Sequence, residues 1–279
     1  MRLVSYAAKR GRRPCAGVLR DDQVIDAAAA LGLERASLRE LLGSGRAGEL
    51  VDADGPAQPL AEVELLPPIP DPEKIVCIGL NYAEHAKEGR IDPPDSPTFF
   101  AKFRNALRAP GALVTLPAAS EKVDYEAEVA FVIGTRAKDV AEPDALGYIA
   151  GYTLLNDLSA RDLQFATPQW MPGKVFDDSA PCGPALVTPD EAGPPDEISF
   201  ALELNGERMQ DASTSDLIFS VAELIARLSR WMTLKPGDIV STGTPAGVGS
   251  VRDPRVWLQP GDEIVISSPT LGELRTTIA

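Results

Sequence analysis

The chain is poor in the residues that carry redox, thiol and zinc chemistry. Its 279 residues include one histidine, His85, and three cysteines, Cys15, Cys77 and Cys182. The cysteines are scattered, odd in number and form no CxxC pair, which argues against a disulfide framework and a structural zinc site. They read as small buried or half-buried hydrophobes. A nucleophilic cysteine needs a base, and a single imidazole makes a cysteine protease a poor reading. No apolar run reaches about 18 residues, so no transmembrane helix is expected. The opening MRLVSYAAKRGRRP lacks a signal-peptide layout, so the protein is expected in the cytoplasm. Basic residues are also scarce: Lys plus Arg is 27 against 41 Asp plus Glu, a formal net charge of −14. Such a surface repels nucleic acid and gives no reason to expect a membrane partner. The one basic run, Lys9–Arg13, reads as a solvated hairpin tip. No internal repeat or low-complexity tract is present. The Gly-rich stretch from Leu234 to Gly249 is neither a P-loop nor a dinucleotide fingerprint.

What is present is an ordinary globular composition, 44% hydrophobic, enough for a large domain with a small appendage. Residues 1–68 read as a small α+β unit. Arg2–Tyr6, Ala16–Leu19 and Gln23–Asp26 look like short strands. A helix follows around Ser37–Leu42, with Ser37 as its N-cap. The run Leu66-Pro67-Pro68-Ile69-Pro70-Asp71-Pro72 then reads as a stiff linker to a second unit, 69–279. There, Lys74–Gly79 reads as a strand and Asn81–Gly89 as a short helix. Glu126–Gly134 and Leu146–Leu155 read as apolar strands. Asn205-Gly206 marks a hairpin, and apolar spacing predicts a helix over Ser215–Met232. The order is strand-dominated with few helices, which indicates an α+β fold.

The strongest chemical signal is Asp124-Tyr125-Glu126-Ala127-Glu128. Residues two apart share a strand face, so Glu126 and Glu128 lie side by side, with Asp124 a possible third and Ala130 and Val132 continuing as core. A partly buried acidic pair is costly without a cation, and a hard divalent ion removes that cost. Asp157 supplies a further carboxylate after the next strand. Carboxylates from two strands with open positions suit Mg²⁺ or Mn²⁺. Spacing alone leaves open a sheet with one wet face. His85 and Glu88 fall three apart on the short helix, either a general base with its orienting acid or a plain surface pair. Arg161 and Gln164 follow Asp157 on what reads as a helix start, where the arginine is suited to a substrate carboxylate. Lys174 and Lys102 each read equally as solvated lysines. Thr244, in the Gly-rich stretch, stands either in an anion-binding loop or in a plain turn.

The segments IGLNYAEHAKE, DYEAE, GYTLLNDLSARDLQ, QWMPGKVFD, LNGERMQDASTSDLIF and LKPGDIVSTGTPAGVG, in that order, resemble the fumarylacetoacetate hydrolase family. The resemblance runs from about Lys74 to the C-terminus. It implies a mixed β-roll/β-sandwich fold, a homodimer, and a small 2-oxo or enol acid as substrate. It implies Glu126, Glu128 and Asp157 as ligands of Mg²⁺ or Mn²⁺, and His85 with Glu88 as the pair that activates water. Lys174 would stabilise developing negative charge, and Arg161, Gln164 and Thr244 would touch substrate. The reaction implied first is hydrolysis of a carbon–carbon bond in an acylpyruvate-type acid through an enolate. Within the same family stand isomerisation of a dienol diacid and decarboxylation of oxaloacetate type. A catalytically idle metal-binding relative is the non-enzyme alternative. One departure stands out: members commonly read FDT after the lysine, whereas this chain has Phe176-Asp177-Asp178. An acid at 178 is expected to alter the surroundings of the ion.

Overall fold

The computed structural model describes residues 1–8, 14–88 and 95–279. The basic run Lys9–Arg13 and the expected helix end at Gly89 lie outside them. The chain opens with strands β1 (Arg2–Ala8), β2 (Cys15–Arg20) and β3 (Gln23–Asp26), then helices α1 (Ala27–Ala30) and α2 (Leu38–Gly43). Ser37 caps α2, as the sequence predicts, and does so in a reciprocal box with Glu40. Strands β4 (Ala57–Pro59), β5 (Val63–Leu66) and β6 (Ile75–Gly79) follow, then α3 (Ala83–Glu88) and β7 (Thr98–Lys102). Next come β8 (Leu107–Arg108), β9 (Leu113–Val114), β10 (Val123–Asp124), β11 (Ala127–Ile133), β12 (Ile149–Asn156) and β13 (Ser159–Ala160). Two one-turn helices, α4 (Arg161–Gln164) and α5 (Met171–Lys174), precede β14 (Ala180–Val187) and α6 (Pro189–Ala192). The chain ends with β15 (Ser199–Leu204), β16 (Glu207–Ser213), α7 (Val221–Trp231), β17 (Ile239–Ser241), β18 (Glu263–Ser268) and β19 (Gly272–Ile278).

Among the described residues, twelve strands share one mixed sheet, with a main path β4-β3-β2-β1-β14-β12-β11-β17-β6-β7. A five-stranded sheet, β16-β15-β18-β19-β9, packs on it. The fold is thus α+β, of the mixed β-roll/β-sandwich kind. Strand β11 shows why the layers form. All seven of its residues are buried, and they alternate between two cores. Val129, Phe131 and Ile133 join Leu224, Ile225 and Leu228 of α7 and Ile264 and Ile266 of β18. Ala130 and Val132 face the other way, onto Leu38 and Leu41 of α2. The open possibility of a wet sheet face is therefore excluded. No described helix is long and apolar enough to cross a membrane.

The proline-rich run packs against the first unit: Pro67, Pro68 and Ile69 are buried, and Ser5 Oγ donates to Pro68 O at 2.7 Å. Two local expectations need correction. Strand β12 starts at Ile149, because Glu142–Tyr148 forms a 3-10 helix opened by Pro143. The helix predicted from Ser215 starts only at Val221, capped by Ser220. A separate Ser213–Asp216 capping box opens a 3-10 turn before it, so two caps divide what apolar spacing reads as one helix. The Asn205-Gly206 hairpin forms as expected, with both residues at positive φ, 53° and 82°.

Candidate active site

The antiparallel pairing of β11 and β12 sets Ala127 opposite Asn156. The residues just beyond that pair are Glu126 and Asp157, and Asp157 N–H donates to Glu126 O at 2.9 Å. Glu128 lies two positions along the same face. The three carboxylates are 4%, 1% and 0% exposed in the order Glu126, Glu128, Asp157. One oxygen from each lies within 4.8 Å of the others. Asp124, the possible further member, is turned elsewhere. It accepts Gly249 N–H at 2.8 Å, Ser250 N–H at 3.0 Å and Arg161 Nε at 2.9 Å. It therefore anchors the loop after the Gly-rich stretch.

Three cations meet this cluster unevenly. Lys174 Nζ bridges Glu126 Oε2 at 2.6 Å and Asp157 Oδ2 at 2.8 Å. Lys102 Nζ lies 2.8 Å from Asp157 Oδ1, and Arg161 Nη2 lies 2.7 Å from Glu126 Oε1. Among the described residues, Glu128 receives only the Ser241 hydroxyl and Gly243 N–H, the latter at 3.1 Å. The two glutamates therefore part company. Burial alone would raise Glu126, but Arg161 and Lys174 hold its pKa down at about 2. Burial, then repulsion from Asp157 and Glu126, pushes Glu128 well above the ordinary carboxyl range.

His85 sits on α3 with Nδ1 3.5 Å from Glu88 Oε2. Glu88 in turn accepts Gly247 N–H at 3.1 Å, which ties the helix to the Gly-rich loop. A cavity of about 410 Å³ takes in every residue expected at the site except Glu88, which stands behind His85. Its walls include the aromatic rings of Phe100, Trp170 and Trp257.

A model of the C-terminal domain of fumarylacetoacetate (FAA) hydrolase matches residues 74–279. The chain belongs to the fumarylacetoacetate hydrolase family. Bovine mitochondrial oxaloacetate tautomerase FAHD2B is 43% identical over 219 residues, 78% of this chain and 70% of the relative. The fumarylacetoacetate hydrolase of Exiguobacterium antarcticum superposes with TM-score 0.87 at 33% identity, covering 100% of this chain and 99% of that one. The 2-hydroxyhepta-2,4-diene-1,7-dioate isomerase of Mycobacterium marinum does so with TM-score 0.80 at 32% identity, covering 100% and 98%.

In this family member the donor set fits a hard divalent ion. All three groups are carboxylates, they converge from two strands, and Glu128 has no ion pair of its own among the described residues. The segment after Asp157 differs from expectation. It does not start a helix there, because Leu158 N–H is held by Asn156 O and Ser179 O and β13 pairs with β10. Only at Arg161 does one turn form, which sets Arg161 Nη1 2.9 Å from Gln164 Oε1. Arg161 faces the cavity but is already engaged by Asp124 and Glu126. Thr244 Oγ1 accepts Gln210 Nε2 at 2.9 Å and lines the cavity.

Two readings are overturned. Lys102 is no solvated loop lysine: it ends β7, is buried, and also donates to Ser179 O at 2.9 Å and to Lys174 O. The sequence signal available was its place at the end of the apolar run Phe99-Phe100-Ala101, where a charge needs a partner. Asp178 does not border the ion site: it takes a positive φ of 63° and faces Arg108 at 3.6 Å. Among the cysteines, burial pushes the Cys77 and Cys182 thiols up, Cys182 to about 12, as expected of inert packing residues.

Proposed function

We propose that the protein is a divalent-cation-dependent enzyme that moves a proton at the carbon beside the keto group of a small 2-oxo or enol acid. The observation that carries this is the shared cavity: one imidazole backed by a carboxylate, facing three buried carboxylates and a buried lysine. Glu126, Glu128 and Asp157 would hold Mg²⁺ or Mn²⁺, which when bound supplies Lewis-acid polarisation of the 2-oxo carboxylate. Glu88 faces Nδ1 of His85, fixing the tautomer and leaving Nε2 to exchange the proton at C3 of the substrate. Burial would lower the pKa of Lys174, but in the ion-free protein Asp157 and Glu126 overcome that and raise it. The role of this lysine is to hold positive charge beside the oxygen on which enolate charge develops. The aromatic walls keep bulk water from that charge.

Keto–enol exchange of an oxaloacetate-type acid needs only these parts, and the name of the bovine relative agrees with it. Hydrolytic cleavage is the second reading, favoured by the presence of a carboxylate-oriented histidine. His85 would take a proton from water, the resulting hydroxide would add to the 4-oxo carbon, and the C3–C4 bond would break to give a carboxylic acid and the pyruvate enolate, whose C3 would take the proton back from His85 to give pyruvate. Both readings are tested with Mn²⁺-loaded protein on enol oxaloacetate, followed by loss of enol absorbance, and on acetylpyruvate, followed by its consumption. His85→Ala should lower the rate on the active substrate by roughly 10²–10⁴-fold. A near wild-type rate in that variant removes the dyad. Turnover of neither substrate leaves the catalytically idle relative as the better description.

A further inference from the structure

Gln210 is a buried amide, 1% exposed, on strand β16 of the smaller sheet, and its side chain reaches across to the site on the larger one. Its Oε1 accepts the N–H of Ala127, which stands between Glu126 and Glu128, at 2.9 Å. Strand β17 runs beside β11 only over Ala130–Val132, and the Ala127 N–H is met by this side chain instead. At the other end of the amide, Nε2 donates to Pro245 O and to Thr244 Oγ1, each at 2.9 Å.

The amide can stand only one way round. Oε1 faces a backbone N–H and Nε2 faces a backbone carbonyl, so turning it over would set donor against donor and acceptor against acceptor. Both hydrogens of Nε2 are then committed, one to Pro245 O and the other to Thr244 Oγ1. A threonine hydroxyl carries a single proton and can either give or accept. Here its oxygen already accepts, and among the described residues no group takes its proton. Thr244 is 5% exposed and lines the cavity together with Glu126, Glu128 and Lys174. The proton is therefore left for a ligand in that cavity.

We propose that Gln210 is a positioning residue: it keeps the Thr244 hydroxyl turned as a donor toward an anionic oxygen of the bound acid. This rests on the 2-oxo acid reading above for the charge of that ligand. Without the amide, Pro245 O lacks its donor and the hydroxyl is free to turn its proton away from the cavity, which presents a lone pair to the anion. A donor fixed before the ligand arrives needs no reorientation on binding. A hydrogen bond to a charged group in a buried site corresponds to about tenfold in affinity or more.

The test is a double-mutant cycle read by calorimetric binding of pyruvate, a 2-oxo carboxylate, to full-length protein saturated with Mn²⁺. Thr244→Val removes the hydroxyl and keeps the shape of the side chain. Gln210→Met keeps the length and removes donor and acceptor together. Each alone should weaken pyruvate binding about tenfold, and the double variant should be no weaker than Thr244→Val, because Gln210 acts through that hydroxyl. A merely structural glutamine would instead weaken binding by the same factor whether or not the hydroxyl is present, and that additivity overturns the inference. Should Gln210→Met fail to fold, Gln210→Glu closes the same cycle. It still accepts the Ala127 N–H, and the effect of its charge on the anion enters both arms and cancels. Wild type that does not bind pyruvate, or binds it no better than Thr244→Val does, overturns the inference and leaves the proposed reaction to its own turnover test. A coupled pair in a protein that turns over neither enol oxaloacetate nor acetylpyruvate upholds the role of Gln210 and rejects that reaction.

Discussion

At Glu128 a buried carboxylate meets a serine hydroxyl and a backbone N–H, while its neighbours Glu126 and Asp157 take the ammonium and guanidinium groups. The two glutamates respond to pH with opposite signs. Glu126, held at about 2, binds protons less readily folded than unfolded. Its contribution is present above the unfolded value near ~4.3 and is lost as pH falls toward the folded one. Glu128 is raised, so the ion-free folded protein keeps a proton that the unfolded chain releases. Its contribution is favourable below the unfolded value and declines as pH rises toward the folded one. A divalent ion opposes that decline by neutralising the cluster. Glu128→Gln should therefore raise the melting temperature of ion-free protein at neutral pH and abolish the rise that Mn²⁺ gives wild type. That rise corresponds to about 2.7 kcal/mol at one hundred times Kd. A scanning-calorimetry shift with Mn²⁺ that survives in Glu128→Gln would remove this residue from the ligand set. At this scale the acids could be read from the chain because a two-residue period is local. The partners of Lys102 could not, since Ser179 lies 77 positions away in sequence.

Among the elements, the Gly-rich loop after β17 depends on backbone shape more than on side chains. Gly243 takes φ +100°, and a Cβ there would stand 2.9 Å from Ile78 O and 3.2 Å from Asn81 Cβ. Its N–H donates to Glu128. Gly243→Ala should cost about 1–3 kcal/mol of stability, read as a lower urea midpoint. It should also weaken Mn²⁺ binding, because Glu128 loses a donor. An unchanged midpoint would show that the loop has room to rotate. Local signals served well where the cause was local: the Ser37 box and the Asn205-Gly206 turn satisfy their own backbone. They served less well where packing divided a pattern. Leu217, read as helix, instead forms a bridge with Tyr82, and Trp231 at the helix end is 51% exposed.

On the scale of the whole molecule, we propose a division of the chain into 1–68 and 69–279, which a family match beginning at residue 74 supports. The two units are nonetheless closely joined in the fold. Strand β1 pairs with β14, so the first unit extends the sheet of the second. Leu38, Leu41 and Leu50 from the first share a core with Ala130, Val132 and Ile239 from the second. Residues 69–279 produced alone would expose a strand edge and that apolar face. They should aggregate or melt well below the full chain in calorimetry and light scattering. A monomeric fragment with the full melting temperature would show that the first unit adds nothing to the core.

The strand-dominated α+β character, the Asn205-Gly206 turn, the acidic balance, and the pairing of Glu126 with Glu128 on one face follow from the sequence by itself, because each depends on composition or on neighbours a few residues apart; strands such as Thr98–Lys102 and Ala180–Val187 do not. Three-dimensional register settled the rest. It brought Asp157 to Glu126, sent Asp124 to a loop and Asp178 to Arg108, and placed Lys174 between carboxylates that lie 48 and 17 positions away. Such contacts arise only when distant segments pair into one sheet, and no local pattern records which charges that pairing will bury together.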